Sequence, residues 1–391
     1  MTKQVYIIGA KRTAIGSFQG QFANTPSPIL GAAAIKAAVE QAGVTNIDEA
    51  LMGCVLPAGV GQAPARQAVL GAGLDKSVVC TTINKVCGSG MKTVMLAHDA
   101  IKAGSANTVI AGGMESMTLA PYMLPKARSG YRMGHGVTLD HMFYDGLQNP
   151  YDDNMMGVFA EICADKYAFS REAQDEFSAE SVRRSMAAMQ SGGFDAEITD
   201  VTVVNRRAES IVNKDEEPPR CNLDKISTLR PAFRRENGTV TAANASKISD
   251  GAAAMIIASE EIVNDNNLTP LAKIVGHTTF AHEPQWFTTA PVSAMQKLMT
   301  KLDWNVNDVD LFEINEAFAV VTMAAMQELN IPHEKVNING GACAMGHPIG
   351  ASGTRILVTL LYALKQKGLK RGIASLCIGG GEATAVAIEI V

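Results

Sequence analysis

The chain has 391 residues, 47% of them hydrophobic, 19% charged and 5% aromatic, with 35 Gly and a formal charge of −5. This balance excludes a disordered chain, a coiled coil and a disulfide scaffold, and it offers nucleic acid no concentrated positive face. The seven cysteines (Cys54, Cys80, Cys87, Cys163, Cys221, Cys343, Cys377) are odd in number and form no CxxC pair, which fits reduced thiols in a cytoplasmic protein.

Val5–Ile8 reads as a strand, followed at once by Lys11 and Arg12, so no leader-like apolar stretch is expected. No apolar run reaches the ~18–20 residues of a membrane span, and no membrane partner is expected. Ile29–Gln41 is an Ala-rich helix that Gly43 ends. Residues 87–116 then run from a Cys-Gly-Ser-Gly turn into helix-spaced apolars (Met91, Val94, Met95, Ile101), a stop at Gly104, and a strand ending in Gly112-Gly113-Met114-Glu115. Residues 350–384 repeat that order: a Gly-Ala-Ser-Gly turn, the apolars Ile356, Leu357, Leu360 and Leu361, a stop at Gly368, and a strand ending in Gly379-Gly380-Gly381-Glu382. The repeat predicts two halves of one α/β topology.

Residues 120–246 differ in character. They hold Pro121, Pro125, Pro150 and Pro218-Pro219, and one clear helix over Arg171–Gln190 behind Ser170 as N-cap. We read 1–119 with 247–269 as the first core half, 120–246 as an inserted loop domain, and 270–391 as the second half. Within these, Asp250–Ala258, Leu311–Ile314 and Ile373–Cys377 read as strands, and Ala317–Leu329 as a helix.

Four residues carry chemistry. Cys87 precedes a predicted helix N-terminus, where unsatisfied N–H groups are expected to lower a thiol pKa and to hold an oxyanion. His347, among glycines and before Pro348, has the imidazole that serves as base to a thiol. Cys377 ends the repeated strand, so a pseudo-twofold arrangement brings it and Cys87 to one cleft. Asn315 follows a strand and reads either as an N-cap or as a catalytic amide. Each also has a structural alternative: small buried hydrophobes for the cysteines, a carbonyl-bonded loop residue for the histidine. Cys343 stands four residues before His347, but without a second ligand pair no metal is expected. There is no GxGxxG after a strand and no GxxxxGK[ST], so no nucleotide cofactor is expected.

Taken together, NKVCGSG, AGGMESM, TAANASKISDGAAA, NEAF, GGACAMGHPIGASGTR and CIGGGEA resemble the thiolase family, in order and over nearly the whole chain, and most closely its short bacterial biosynthetic type. The resemblance implies two βαβαβαββ halves in a five-layered αβαβα core with an inserted loop domain. It implies acetyl-CoA C-acetyl transfer: a reversible Claisen condensation of two acetyl-CoA to acetoacetyl-CoA and CoA, with a degradative 3-ketoacyl-CoA thiolase of longer substrates as the alternative. Cys87 would accept the acetyl group, His347 would activate it, and Cys377 would move the α-proton. Asn315 would orient a water that forms one oxyanion hole with His347, and the N–H groups of Cys87 and Gly379 would form the other. Ser246 and Arg220 match CoA contacts, Met156 and Phe318 walls of the acyl pocket. Residues 120–146 are similar to the family's tetramerisation loop, implying a homotetramer, a dimer of dimers. CoA thioesters are the expected substrates, with no separate cofactor. The chain departs from the common pattern at Met155, expected to bear on acyl-chain preference, at Trp286 and Phe287, expected to reshape the pocket, and at Lys247 and Pro218-Pro219, expected to alter the CoA contacts.

Overall fold

Apolar strands that alternate with Gly-capped apolar helices can bury both faces of a sheet only by layering, and this is the arrangement seen. A computed structural model describes residues 4–205 and 208–391. Its main strands are β1 (Val5–Thr13), β2 (Glu49–Gly53), β3 (Val79–Ile83), β4 (Thr108–Ser116), β5 (Ser249–Ser259), β6 (Ala272–Ala281), β7 (Leu311–Ile314), β8 (Arg371–Ile378) and β9 (Glu382–Ile390). Their order in the sheet is β7-β8-β9-β6-β1-β5-β4-β2-β3. Each half has parallel pairs at its outer side (β3–β2–β4; β7–β8) and antiparallel pairs inward (β4–β5–β1; β8–β9–β6). The halves meet across a two-residue antiparallel pairing, Tyr6 with Lys273 and Ile7 with Ala272. One pseudo-twofold therefore runs between β1 and β6.

The helices fill three layers. Helices α1 (Ser27–Ala42) and α2 (Pro64–Gly71) cover the outer face of the first half. Helices α3 (Ser89–Ala103) and α8 (Ser352–Lys367) lie between the halves, where Met91, Val94 and Met95 meet Ile356, Leu360 and Leu361. Helices α6 (Ala290–Leu302) and α7 (Ala319–Leu329) cover the far face, and α4 (Met156–Tyr167) and α5 (Arg171–Gln190) lie within residues 120–246. Both central helices end on a left-handed glycine, Gly104 at φ 78° and Gly368 at φ 65°, as the repeat predicted. Between Ser116 and Ser249 the described chain adds only Ile198–Thr199 to the central sheet.

Most expected elements extend by a few residues: the first strand runs on to Thr13 and the first helix covers Ser27–Ala42. Ser170 caps α5 as expected, its Oγ accepting from Ala173 N–H at 3.1 Å. One boundary is corrected. Residues 315–318 are not helical, because Phe318 bridges Ala245 and Ala319 N–H donates to Asn244 O. That tertiary contact pulls the segment into extended backbone and delays α7 to Ala319.

Candidate active site

Cys87 is held by a turn that is closed mainly by local bonds. Asn84 Oδ1 accepts from Val86 N–H, while Ser89 Oγ accepts from Lys85 N–H and donates to Val86 O. Val86 sits at φ 47°, an uncommon conformation for a β-branched residue. The turn presents the Cys87 sulfur to two backbone N–H groups, its own and that of Gly379. A thiol pKa lowered by the helix dipole was expected, and the structure corrects this. Burial pushes the Cys87 thiol up to about 11, the two N–H groups only partly offsetting it. The helix starts two residues later, and loss of water outweighs the field of its first turn.

Cys377 lies near the end of β8, fully buried in a cluster with Phe287, Phe318 and, at its edge, Met156. Its thiol is raised by burial and then by the charge of Cys87, so the two sulfurs share one site. Gly88 backs directly onto Ile378, which joins the two half-sites.

His347 sits in the loop before α8. Its backbone N–H donates to Lys247 O at 3.0 Å, and its Nδ1 bonds Ser352 Oγ. Ser352 Oγ already donates to Pro348 O at 2.9 Å, so the network assigns the ring proton to Nδ1. Nε2 then carries a free lone pair, and it has no partner among the described residues. Burial, helped by Arg355, lowers the imidazole pKa to about 3, so the ring is neutral. The loop needs glycine at Gly346, whose φ is 110° and whose Cβ would strike Ser249 Oγ.

Asn315 follows β7, the parallel neighbour of β8, and its N–H donates to Ser375 O at 3.0 Å, so it and Cys377 lie at the ends of adjacent strands. The N-cap reading is corrected, since α7 begins four residues on. Both polar atoms of the Asn315 side chain are buried and unpartnered among the described residues. A buried amide with neither atom bonded is costly unless a water or substrate completes it.

A cavity of about 410 Å³ is lined by Met155, Met156, Phe318, Ser246, Lys247 and His347 among others. Met156 Sδ lies 3.5 Å from where a Cβ on Gly379 would stand, linking the cavity wall to the sulfur site. Arg220 does not line it. It lies in an adjoining depression of about 240 Å³ shared with Lys225 and Lys247, and pairs with Glu216 at 3.2 Å. Of the departures, Met155 and Lys247 face the cavity, and the Lys247 ammonium is tied to the carbonyls of Ala242, Ala243 and Ala245. Phe287 stacks edge-to-face on Phe159 and Phe318 behind Cys377, whereas Trp286 lies under the Lys166 ammonium. Cys343 is turned away, its Sγ 3.8 Å from Glu316 O.

Three positioning residues escaped the sequence reading. Ser352 sets the His347 tautomer. Glu115 accepts the N–H groups of Val55, Leu56 and Gly350 at 2.8–3.1 Å, tying the His347 loop to the first half. Glu316 accepts from Ser181 Oγ, Asn337 Nδ2 and Cys343 N–H and braces the same loop from the other side. The only signal was an acidic residue at each strand end inside an otherwise apolar motif.

Known proteins resemble this chain along nearly its whole length. Residues 5–261 match the family model "Thiolase, N-terminal domain" and residues 268–390 match "Thiolase, C-terminal domain". The chain is 49% identical over 389 residues to an acetyl-CoA acetyltransferase of Cupriavidus necator, covering 98% of this chain and 99% of that one. It is 47% identical over 396 residues to that of Saccharomyces cerevisiae, with full coverage of both. The crystal structure of the Bacillus anthracis acetyl-CoA acetyltransferase superposes with a TM-score of 0.97 at 39% identity, over 100% of this chain and 99% of that one. The Acat5 thiolase from Ascaris suum, in complex with coenzyme A, superposes at 0.94 with 40% identity over the whole of both chains.

Proposed function

The chain belongs to the thiolase family, and on that premise we propose that it is an acetyl-CoA C-acetyltransferase, condensing two acetyl-CoA to acetoacetyl-CoA and CoA and running the reverse. What supports this reading is a pair of neighbouring thiols, two N–H groups on the first sulfur, and an imidazole with a free Nε2 on the wall of the cavity whose Met156 backs onto Gly379.

The chemistry follows from the protonation states. Cys87 and His347 rest as neutral thiol and neutral imidazole, so no charge is stored in the apolar cleft. As Cys87 Sγ attacks the acetyl carbonyl, its proton passes to Nε2 and the Sγ–C bond forms. The oxyanion is met by donors that need no reorganisation. The C–S bond to CoA then breaks, and CoA leaves with one of the two thiol protons. The other proton is held between His347 and Cys377. With it on His347, the Cys377 sulfur takes the α-proton of the second acetyl-CoA, and its raised pKa makes it a strong base for that step. The enolate carbon attacks the acetyl carbon, the Cys87 thioester breaks, and the His347 proton returns to Cys87. Atoms and protons balance, and the scheme is ping-pong.

Asn315, with both side-chain atoms unbonded, suits a water-holding role beside His347. Ser246 and the basic group Arg220, Lys225 and Lys247 suit the CoA chain and its phosphates. A homotetramer is supported by an outlying hairpin, Tyr122–Met123 paired with Leu139–Asp140, on which Tyr122 is 70%, Met133 90% and Val137 66% exposed. Free thiols support a cytoplasmic site of action; no helix among the described residues is long and apolar enough to cross a membrane.

The test is peptide mapping after brief exposure to acetyl-CoA. An acetyl thioester on Cys87 that Cys87→Ser abolishes is expected; acetylation elsewhere would overturn the assignment. Cys377→Ala should keep exchange of labelled CoA into acetyl-CoA while losing condensation. A marked rate preference for a medium-chain 3-ketoacyl-CoA over acetoacetyl-CoA would favour the degradative reading.

A further inference from the structure

Away from the acyl-transfer site, α3 runs on to meet β6. There His98 and Asp99 of the helix face His277 of the strand, 178 residues away from Asp99 in the chain. Asp99 Oδ1 bonds His277 Nε2 at 2.8 Å and His98 Nδ1 at 3.2 Å. The two rings stand edge to face with centroids 5.0 Å apart. One nitrogen from each ring and one carboxylate oxygen therefore lie within 4.8 Å of one another.

We propose that His98, Asp99 and His277 form a binding site for a divalent first-row transition metal of the zinc, cobalt or nickel type. Such an ion sits about 2.0–2.2 Å from imidazole nitrogen and carboxylate oxygen, which in a tetrahedral site spaces the ligand atoms roughly 3.4 Å apart. The His98 separation from Asp99 Oδ1 is close to that figure and the His277 one is shorter, so an ion would replace both hydrogen bonds, with the His277 contact opening and the two rings drawing together. Two imidazoles and one carboxylate leave at least one position open to water.

The ligands select the ion. Lys92, Lys102 and Lys301 act on the two rings, and Lys301 Nζ donates to His277 O at 3.3 Å. Their charge opposes every divalent ion alike, so the ligand set decides: one carboxylate is far short of the oxygen ligands that calcium or magnesium requires, and imidazole nitrogen suits the borderline transition ions. In the free protein each ring proton lies on the nitrogen that faces the Asp99 carboxylate, so on binding each ring moves that proton to its other nitrogen, a tautomer shift with no net proton loss. The Asp99 side chain is 53% exposed, which gives an ion its way in. A bound ion would clamp α3, whose first turn adjoins Cys87, onto the second half of the molecule.

The test is titration of chelator-stripped full-length enzyme with Co²⁺, followed by optical absorption, and by thermal melting with Zn²⁺. The expected result is one Co²⁺ per chain without sulfur-to-cobalt charge transfer, displacement by Zn²⁺, and a higher melting temperature with Zn²⁺. His277→Gln and His98→Gln should each weaken binding at least tenfold and leave acetyl transfer unchanged. Absence of binding, unchanged affinity in His277→Gln, or a charge-transfer band placing the ion on the cysteines would overturn the proposal. Should a variant fail to fold, an anomalous-scattering peak in a Zn²⁺-soaked crystal of the unaltered enzyme decides: density among the three side chains supports the site, and density elsewhere refutes it.

Discussion

Strands β4 and β8 are pseudo-equivalent, and both run into a glycine cluster followed by glutamate. At the end of β4 every residue from Thr108 to Ser116 is buried, and Glu115 is spent on three backbone N–H groups of two loops. A Cβ on Gly113 would run into the Gly350 carbonyl, so the strand end is the bed on which the His347 loop lies. At the end of β8 the same order of residues forms an open turn. Gly379 points its N–H at Cys87, and Glu382 is half exposed and paired with Lys85. One half supplies scaffold and the other supplies donors, from a common topology. Duplication fixed the geometry, and burial divided the labour.

That contrast can be broken in four ways. The largest effect concerns the thiol it serves. With Cys87 pushed up to about 11, its alkylation by iodoacetamide should rise tenfold per pH unit from 7 to 10, about 10³-fold in all, because thiolate is the reacting form. A plateau below pH 8.5 would show that the N–H groups, not burial, dominate. Next, Glu115→Ala leaves three buried N–H groups without an acceptor and should cost about 3 kcal/mol or more in urea unfolding. Because burial raises the Glu115 pKa to about 7, folding takes up a proton between roughly pH 4.5 and 7. Its contribution is therefore fully present below pH 4.5 and declines as pH rises through 7, a trend that Glu115→Gln should remove. Third, Ser352→Ala frees the His347 ring to adopt the other tautomer, which should slow acetyl transfer about 10²-fold while ¹⁵N shifts report the ring. An unchanged rate and spectrum would remove Ser352 from the site. The smallest effect is at the partner glutamate: Glu382→Gln should change stability by less than about 1 kcal/mol, since its ion pair with Lys85 is partly solvated. A larger loss there would make the two strand ends alike after all.

Much of this was legible in one dimension because the signals are local. The Gly104 and Gly368 stops, the Ser170 cap and the apolar periodicity of α3 and α8 depend on residues within a turn of each other. The proximity of Cys87 and Cys377 was also inferable, because a repeated motif implies a symmetry axis and an axis implies convergence. Of the two readings open for Asn315, the N-cap one fails, since the contact that unwinds residues 315–318 comes from Asn244 and Ala245, some seventy residues earlier.

What the amino-acid order determined alone is the layered α/β fold and the choice of candidate reacting groups, because turn chemistry, periodicity and side-chain type are properties of short windows. What only the tertiary structure decided is how those groups are poised. A thiol expected to be acidified is instead raised, an imidazole is held neutral with Nε2 open, and two histidines and an aspartate meet at the seam of the halves. Desolvation and hydrogen-bond partners belong to whatever packs around a group, and that is settled by chain segments far removed in sequence.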